Sequence, residues 1–406
     1  MEFLTPKLRF PEFDENWKLK QLGDIGNFIG GGTPSTSNED FWKGDIPWIS
    51  SSDIFDNEIQ DIRMSRFLTK EAIKESATKI IPKNSILLVS RVGVGKLAIN
   101  KVEVCTSQDF TNIIVYDDNS YFIGYNLISK KNILSNFSQG TSIKGFTSND
   151  IKTLGIKVPS LEEQTKIANF LSAVDNKLNL LKEKKALLEE YKKGIMQKIF
   201  NQEIRFKDDN GEDFGEWEEK KFSNYIKLYR GSSPRPIVRY ITNSKNGVNW
   251  IKIGDTKGIE NYIIDNVSEK ITSEGAKHSR KVDVGEIILA NSMSFGKSYI
   301  LNISGCIYDG WFVLREYEKV FDKMFLIQLL NSDYLQKQYN TLSTGGVVQN
   351  ISSEIVYSTF LLKPSIDEQT KIANFLSAID EKIALVSNQI QDTQEYKKGL
   401  LQQMFV

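Results

Sequence analysis

The sequence predicts a mixed α/β (α+β) protein built as a pseudo-two-fold tandem repeat. Two globular parts of short strands and helices are each followed by a long helix, and the two long helices are expected to form an antiparallel coiled coil. Three observations carry this. First, EEQTKIANFLSAVDNK, beginning at Glu162, returns as DEQTKIANFLSAIDEK at Asp367, and residues 163–173 are letter-for-letter identical to residues 368–378. The offset is 205 (369 minus 164, for the glutamines). Second, the match runs along the whole chain: Trp17 pairs with Trp217, Trp48 with Trp250, Gly95-Lys96 with Gly296-Lys297, and Gly140 with Gly345, at offsets between 200 and 205. Third, each shared motif opens a run of helical periodicity far longer than one small domain can cover.

Taken in order, residues 1–158 read as the first globular part. SILLVS (from Ser85) is a β-rich apolar run, TNIIVY (from Thr111) alternates, and FIGYNLISKKNILSNF (from Phe122) is helical. Residues 159–200 form the first long helix. Ser160 with Glu163 offers a capping box in which both side chains can satisfy unpaired backbone N–H groups. Ile167, Leu171, Val174, Leu178, Leu181, Leu188, Tyr191 and Ile195 then recur at spacings of three and four. Residues 201–363 repeat the globular pattern with EIILAN (from Glu286) and MFLIQLLNSDYLQKQY (from Met324). Residues 364–406 repeat the helix, with Ser365 and Glu368 at its start and a seam of Ile372, Leu376, Ile379, Ile383, Val386, Ile390, Tyr396 and Leu400.

About forty residues at ~1.5 Å rise make a rod of roughly 60 Å, so each rod needs another rod to cover its seam. Because each globular part precedes its own rod, pairing the two seams head to tail respects the repeat. A seam requires only apolar residues, yet polar positions repeat as well. Gln164, Lys166 and Asn169, with their counterparts Gln369, Lys371 and Asn374, are therefore expected on two equivalent faces that meet two identical outside partners.

Composition narrows the chemistry. With 40% hydrophobic and 26% charged residues the chain is globular, and no apolar run approaches membrane-spanning length. The start, MEFLTPKLRFPEF, lacks the layout of a signal peptide, so a cytoplasmic location is expected. Fifty-two basic residues balance fifty-two acidic ones, which neither announces nor excludes nucleic acid. One histidine, His278 in a polar stretch, rules out a histidine-rich metal site. Cys105 and Cys306 are expected to be small buried hydrophobes.

No catalytic constellation emerges. SRVGVGKL carries Ser90 where a phosphate-binding loop needs its first Gly and Leu97 where it needs Ser or Thr; NSMSFGKS has Asn291 at that first position. There is no Pro-Pro-Tyr methylation core. What the loops offer instead is Gly, Ser/Thr and Arg/Lys close together at matching places: GGGTPSTS with SRVGVGK, and RGSSPRP with NSMSFGK. Each alone reads first as a turn, and Trp48 and Trp250 read first as core.

Two unlike globular halves, each followed by EQTKIANFLSAxDxK and a later EYKKG (Tyr191–Gly194 and Tyr396–Gly399), resemble the specificity subunits of type I restriction-modification enzymes. That resemblance covers the whole chain. It implies two target-recognition domains that read the two halves of a split, asymmetric site on double-stranded DNA, with the helices setting the gap. It also implies two docked modification (methyltransferase) subunits and, beyond them, restriction (helicase-nuclease) subunits. S-adenosylmethionine, ATP and Mg would sit on those partners, leaving no cofactor, metal or catalytic residue on this chain. By matching loop positions, the candidate DNA contacts are Thr33, Ser35, Arg91, Lys96 and Lys144 in the first half. In the second they are Arg230, Ser232, Ser233, Arg235, Asn291 and Lys297. The alternative is a non-enzymatic two-headed scaffold that grips polypeptides and uses the rods as a spacer.

Overall fold

In the computed structural model, residues 5–136, 145–293, 296–343 and 350–406 are described. Their contacts group the chain into two compact units, residues 1–182 with 389–406, and residues 183–388. Each unit thus contains a segment of both long helices, Leu161–Phe200 and Ile366–Gln403.

The strands of the first unit are β1 Lys18–Gln21, β2 Gly26–Gly30, β3 Ile46–Ile49, β4 Phe67–Leu68, β5 Ile86–Val89, β6 Leu97–Ile99, β7 Cys105–Thr106, β8 Phe110–Val115 and β9 Gly155–Val158. They build an antiparallel sheet in the order β2-β8-β5-β6, a small sheet β4-β3-β7, and a β1-β9 ribbon that delivers the chain into the first long helix. The reason for the unbroken apolar run in β5 is its position. Ile86 and Leu88 face a core shared with the long helices, whereas Leu87 and Val89 face a second core with Ile49, Ile54 and Val104. A strand covered on both faces has no polar side to show. The helix Ser120–Ser129, N-capped by Asn119, lies on β6.

In the second unit the strands are β10 Glu218–Lys221, β11 Lys227–Arg230, β12 Ile241–Thr242, β13 Val248–Ile251, β14 Ile263–Ile264, β15 Glu269–Ile271, β16 Arg280–Val282, β17 Ile287–Ala290, β18 Ser298–Leu301, β19 Gly305–Ile307, β20 Trp311–Arg315 and β21 Phe360–Lys363. The plan is the same with additions: sheets β11-β20-β17-β18-β14 and β12-β15-β13-β19-β16, and a β10-β21 ribbon entering the second long helix. β17 repeats the two-sided burial, with Ile287 and Leu289 toward the helices and Ile288 and Ala290 toward the other sheet.

The helix segments run antiparallel in each unit. In the first, the Trp17 indole N–H donates to Glu163 (3.3 Å) and its ring meets that of Phe405 edge-on (6.5 Å between centroids), while Asp175 meets Lys397. In the second, Glu260 accepts from both Lys185 and Ser387, while Lys192 meets Asp380. Ile167, Leu171 and Val174 share a core with Leu400, Leu401, Met404 and Phe405; Met196, Ile199 and Phe200 share one with Ile372, Leu376, Ile379 and Ile383.

One expectation about the seam is corrected. Tyr191 and Tyr396 are 53% and 55% exposed, and the buried residues there are the neighbouring Lys192 and Lys397. The capping box is also only half formed. Ser160 and Ser365 accept from the N–H groups of Glu163 and Glu368, but both glutamates turn away to other partners. Among the described residues no helix is long and apolar enough to cross a membrane. Cys105 and Cys306 are buried in β7 and β19, and burial pushes the Cys105 thiol up to about 12.

Candidate functional site

Each shared motif begins with a clamp. Glu163 is buried and receives both Nε and Nη2 of Arg9 (2.8 Å each) as well as the Trp17 N–H. Glu368 repeats this with Arg205 (3.1 and 2.8 Å) and Trp217 (2.8 Å). A forked guanidinium satisfies a desolvated carboxylate with fixed geometry, which ties each helix start to the chain segment leading into its globular part. The adjacent Gln164 donates to Asp118 (2.8 Å) and to the Pro159 carbonyl (3.0 Å), and accepts from the Asn119 N–H (2.9 Å). Gln369 does the same with the Val320 and Pro364 carbonyls and the Asp322 N–H. Gln164 and Gln369 are therefore not on an outward face: both are buried, and matching internal bonds account for their repetition.

Further along, each motif supplies an acid, Asp175 buried and Asp380 half-buried, to the other motif's buried lysine. In the first unit Asp175 holds Lys397 (2.5 Å) and accepts from the Tyr125 hydroxyl (2.8 Å); Lys397 also donates to the Asn57 carbonyl (2.7 Å). In the second, Asp380 holds Lys192 (2.6 Å) and accepts from Gln328 (2.8 Å). Burial raises the Asp175 carboxyl despite the pull of Lys397, and burial lowers the Lys192 ammonium despite Asp380.

What remains on the helix surface is a second repeated set. Asn169 and Asn374 are exposed, as are Ala173 and Ala378. Lys166 pairs with Glu12 and lies over the Phe10 ring (4.9 Å), and Lys371 pairs with Asp209 (2.7 Å). Sequence reasoning missed two apolar pairs: the first unit exposes Leu180 (66%) with Tyr396, the second Leu385 (59%) with Tyr191. Both occupy matching repeat positions, a signal that was present but was masked by assigning the tyrosines to the seam.

The loop candidates do not all come together: in the second unit most gather around Asp309, but Lys297 lies beside Lys192 of the long helix. In the first, Thr33 donates to Gln108, Ser35 shares a hydrogen bond with Ser37 (2.8 Å), and the Ser35 carbonyl accepts from Trp42 (3.1 Å). Arg91 is exposed and Lys96 half-buried in the β5–β6 hairpin, which turns through Gly93 and Gly95 at φ +93° and +86°. Lys144 lies outside the described residues. In the second, Ser233 (2.5 Å) donates to the Asp309 carboxylate, and Arg230 (3.2 Å) and buried Asn291 (3.0 Å) donate to its carbonyl. Arg235 stands 3.7 Å from that carboxylate, Ser232 bonds the His278 carbonyl (3.4 Å), and Lys297 is exposed. The glycines have an internal cause: a Cβ at Gly31 or Gly231 would collide with the carbonyl oxygens of Ser107 and Tyr308. Trp48 and Trp250 are buried, Trp48 donating to the Gly32 carbonyl (3.0 Å).

Clamped, antiparallel helices bearing two unlike heads with donor-rich loops define a two-headed recognition protein. The type I restriction modification DNA specificity domain matches twice, at residues 14–190 and 215–394, and the chain belongs to that family. It is 26% identical to the MjaVIII specificity subunit of Methanocaldococcus jannaschii over 97% of this chain and 92% of that one. It is 33% identical to the MjaIX specificity subunit of the same organism over 57% of this chain, and that match spans 56% of the relative's length. In fold it is similar to the S subunit of a type I restriction-modification system from M. genitalium (TM-score 0.61, 15% identity, 99% of both chains). It is similar also to a chain from a structure of type I system assembly and conformational transition (TM-score 0.58, 16% identity, 95% and 96% covered).

Proposed function

We propose that this chain is the DNA sequence-specificity subunit of a type I restriction-modification complex and is itself non-catalytic. Each globular half reads one half of a bipartite, asymmetric site in double-stranded DNA, and the helices set the spacing. The observation that carries this reading is the contrast within the repeat. Exposed Asn169, Ala173 and Leu180 recur as Asn374, Ala378 and Leu385, whereas the loops keep Gly31/Gly231, Pro34/Pro234 and Gly95-Lys96/Gly296-Lys297 but differ at most other positions. Identical outer helix faces fit two copies of one partner, the modification subunit; unlike loops fit two unlike DNA sequences. S-adenosylmethionine, ATP and Mg belong on the modification and restriction subunits. The partner-facing set is then Lys166, Asn169, Lys371 and Asn374 with the Leu/Tyr pairs, and Gln164 and Gln369 act as internal positioning residues.

The test is co-expression with a type I modification subunit from the same genome, followed by sequencing of methylated adenines. A split motif with two defined halves is expected. Methylation that is absent, or that persists without this chain, would overturn the proposal.

A further inference from the structure

The two heads carry opposite charge at one matching loop. After β11 the second unit reads RGSSPRPIVR, with Arg230, Arg235 and Arg239; after β2 the first reads GGGTPSTSNED, with Glu39 and Asp40. The loops leave equivalent strands and are fastened alike, Thr33 to Gln108 and Ser233 to Asp309, so place is shared while charge is not. In the second head Arg280 joins the group, its Nε donating to the Arg230 carbonyl (3.1 Å). Arg230 donates to the Asp309 carbonyl (3.2 Å) and Arg235, with an 82% exposed side chain, stands 3.7 Å from its carboxylate, itself 42% exposed, so Arg230, Arg235 and Arg280 share one nearby carboxylate while Arg239 follows on the same loop. In the first head the one lysine of that loop region, Lys43, is already paired with Asp40 (2.9 Å), and Lys79 stands where Arg280 does.

A cluster of like charges is self-repulsive and is stabilised by an external polyanion whose charges are regularly spaced. Resting on the specificity-subunit reading, we propose that the Arg230–Arg239 loop is the main phosphate anchor of the complex. The second head then carries most of the salt-dependent grip on DNA, and the first reads its half-site chiefly through uncharged Ser, Thr and Asn donors.

The experiment uses the full chain assembled with its modification subunits. Binding to a labelled 40-base-pair duplex bearing the methylated site, and to a scrambled duplex, is measured across sodium chloride concentrations. R235Q/R239Q is expected to lower the slope of log affinity against log salt by about 1.8, taking roughly 0.9 per phosphate contact, on both duplexes alike. K79Q/R91Q in the first head is expected to lower it by less than half as much. R235K/R239K should restore the slope, and unchanged circular dichroism would show that the glutamine variant is folded. Equal slope losses from the two heads, or loss confined to the specific duplex, would overturn the anchor while sparing the broader reading. A wild-type complex with no preference for its methylated site would overturn both.

Discussion

Lys397 lies 2.5 Å from Asp175, and in the other unit Lys192 lies 2.6 Å from Asp380, so each ion pair joins the acid of one repeat to the lysine of the other. The two helices place these residues identically, since Asp175 and Lys192 are as far apart in sequence as Asp380 and Lys397. Antiparallel pairing satisfies both. Parallel pairing would set Asp175 against Asp380 and Lys192 against Lys397, burying like charges. A buried ion pair adds little net stability over an apolar pair, but it penalises the wrong register strongly.

Asp175→Asn is therefore expected to destabilise the protein by about 3–5 kcal/mol, because it leaves Lys397 buried without a counter-charge. The double variant Asp175→Asn/Lys397→Met should recover most of that loss. Denaturant unfolding of the three proteins checks it; a double variant as unstable as the single one would show that the pair is not the coupled unit.

A second pair, Asp53 with Arg66, contributes to acid stability in the first head. Burial alone would raise the Asp53 carboxyl, but hydrogen bonds from the Ser50 hydroxyl and N–H and from Arg66 outweigh it and hold the group below its ordinary 3.8. A carboxylate depressed in the folded state contributes stability that is present above its unfolded value and is lost as pH falls through the folded one. Asp53→Asn should flatten the fall in stability below about pH 4 by up to one proton's worth of slope, read by urea midpoints at successive pH values. An unaltered slope would remove Asp53 from the account.

Much of the fold was legible because a repeat tests itself: Trp17 and Trp217, or β5 and β17, were marked twice. Helix boundaries followed from Ser160 and Ser365. What could not be read was which polar residues face inward. Gln164 and Gln369 look like surface residues in any periodic pattern, and their burial depends on Asp118, Asn119, Val320 and Asp322, residues distant in sequence that the fold brings to them. Tyr191 beside Lys192 inverted the usual order for the same reason: only a carboxylate from the opposite helix makes the lysine the buried one.

On the proposed partner face, Leu180→Glu with Leu385→Glu should leave the unfolding free energy within about 0.5 kcal/mol, as expected for exposed positions. The same change should abolish co-purification of the modification subunit. Lys166 and Lys371 are poorer probes, since both already hold local carboxylates. Normal assembly of the Leu variant would exclude this stripe as the docking surface.

Exchange of residues 201–363 for those of a relative should change one half of the methylated motif and leave the other intact. The second unit keeps its own sheets and core, so the exchange preserves packing if the Arg205–Glu368 clamp and the Lys192–Asp380 pair are retained. Methylome sequencing reads the outcome, and alteration of both halves would end the idea of independent heads.

Lengthening the rods tests their role as a ruler, and the ion pairs dictate how it must be done. Seven residues inserted in one helix alone would slide Asp175 past Lys397 or Lys192 past Asp380. Seven inserted in both, between Asp175 and Lys192 and between Asp380 and Lys397, keep the seam periodicity and both pairs. At ~1.5 Å per residue the heads would separate by about 10 Å, or roughly three base pairs of DNA. The double insertion is expected to methylate a motif with unchanged halves and a spacer about three base pairs longer, whereas the single insertion should assemble poorly. An active double insertion that keeps the original spacer would assign the ruler to the partner subunits instead.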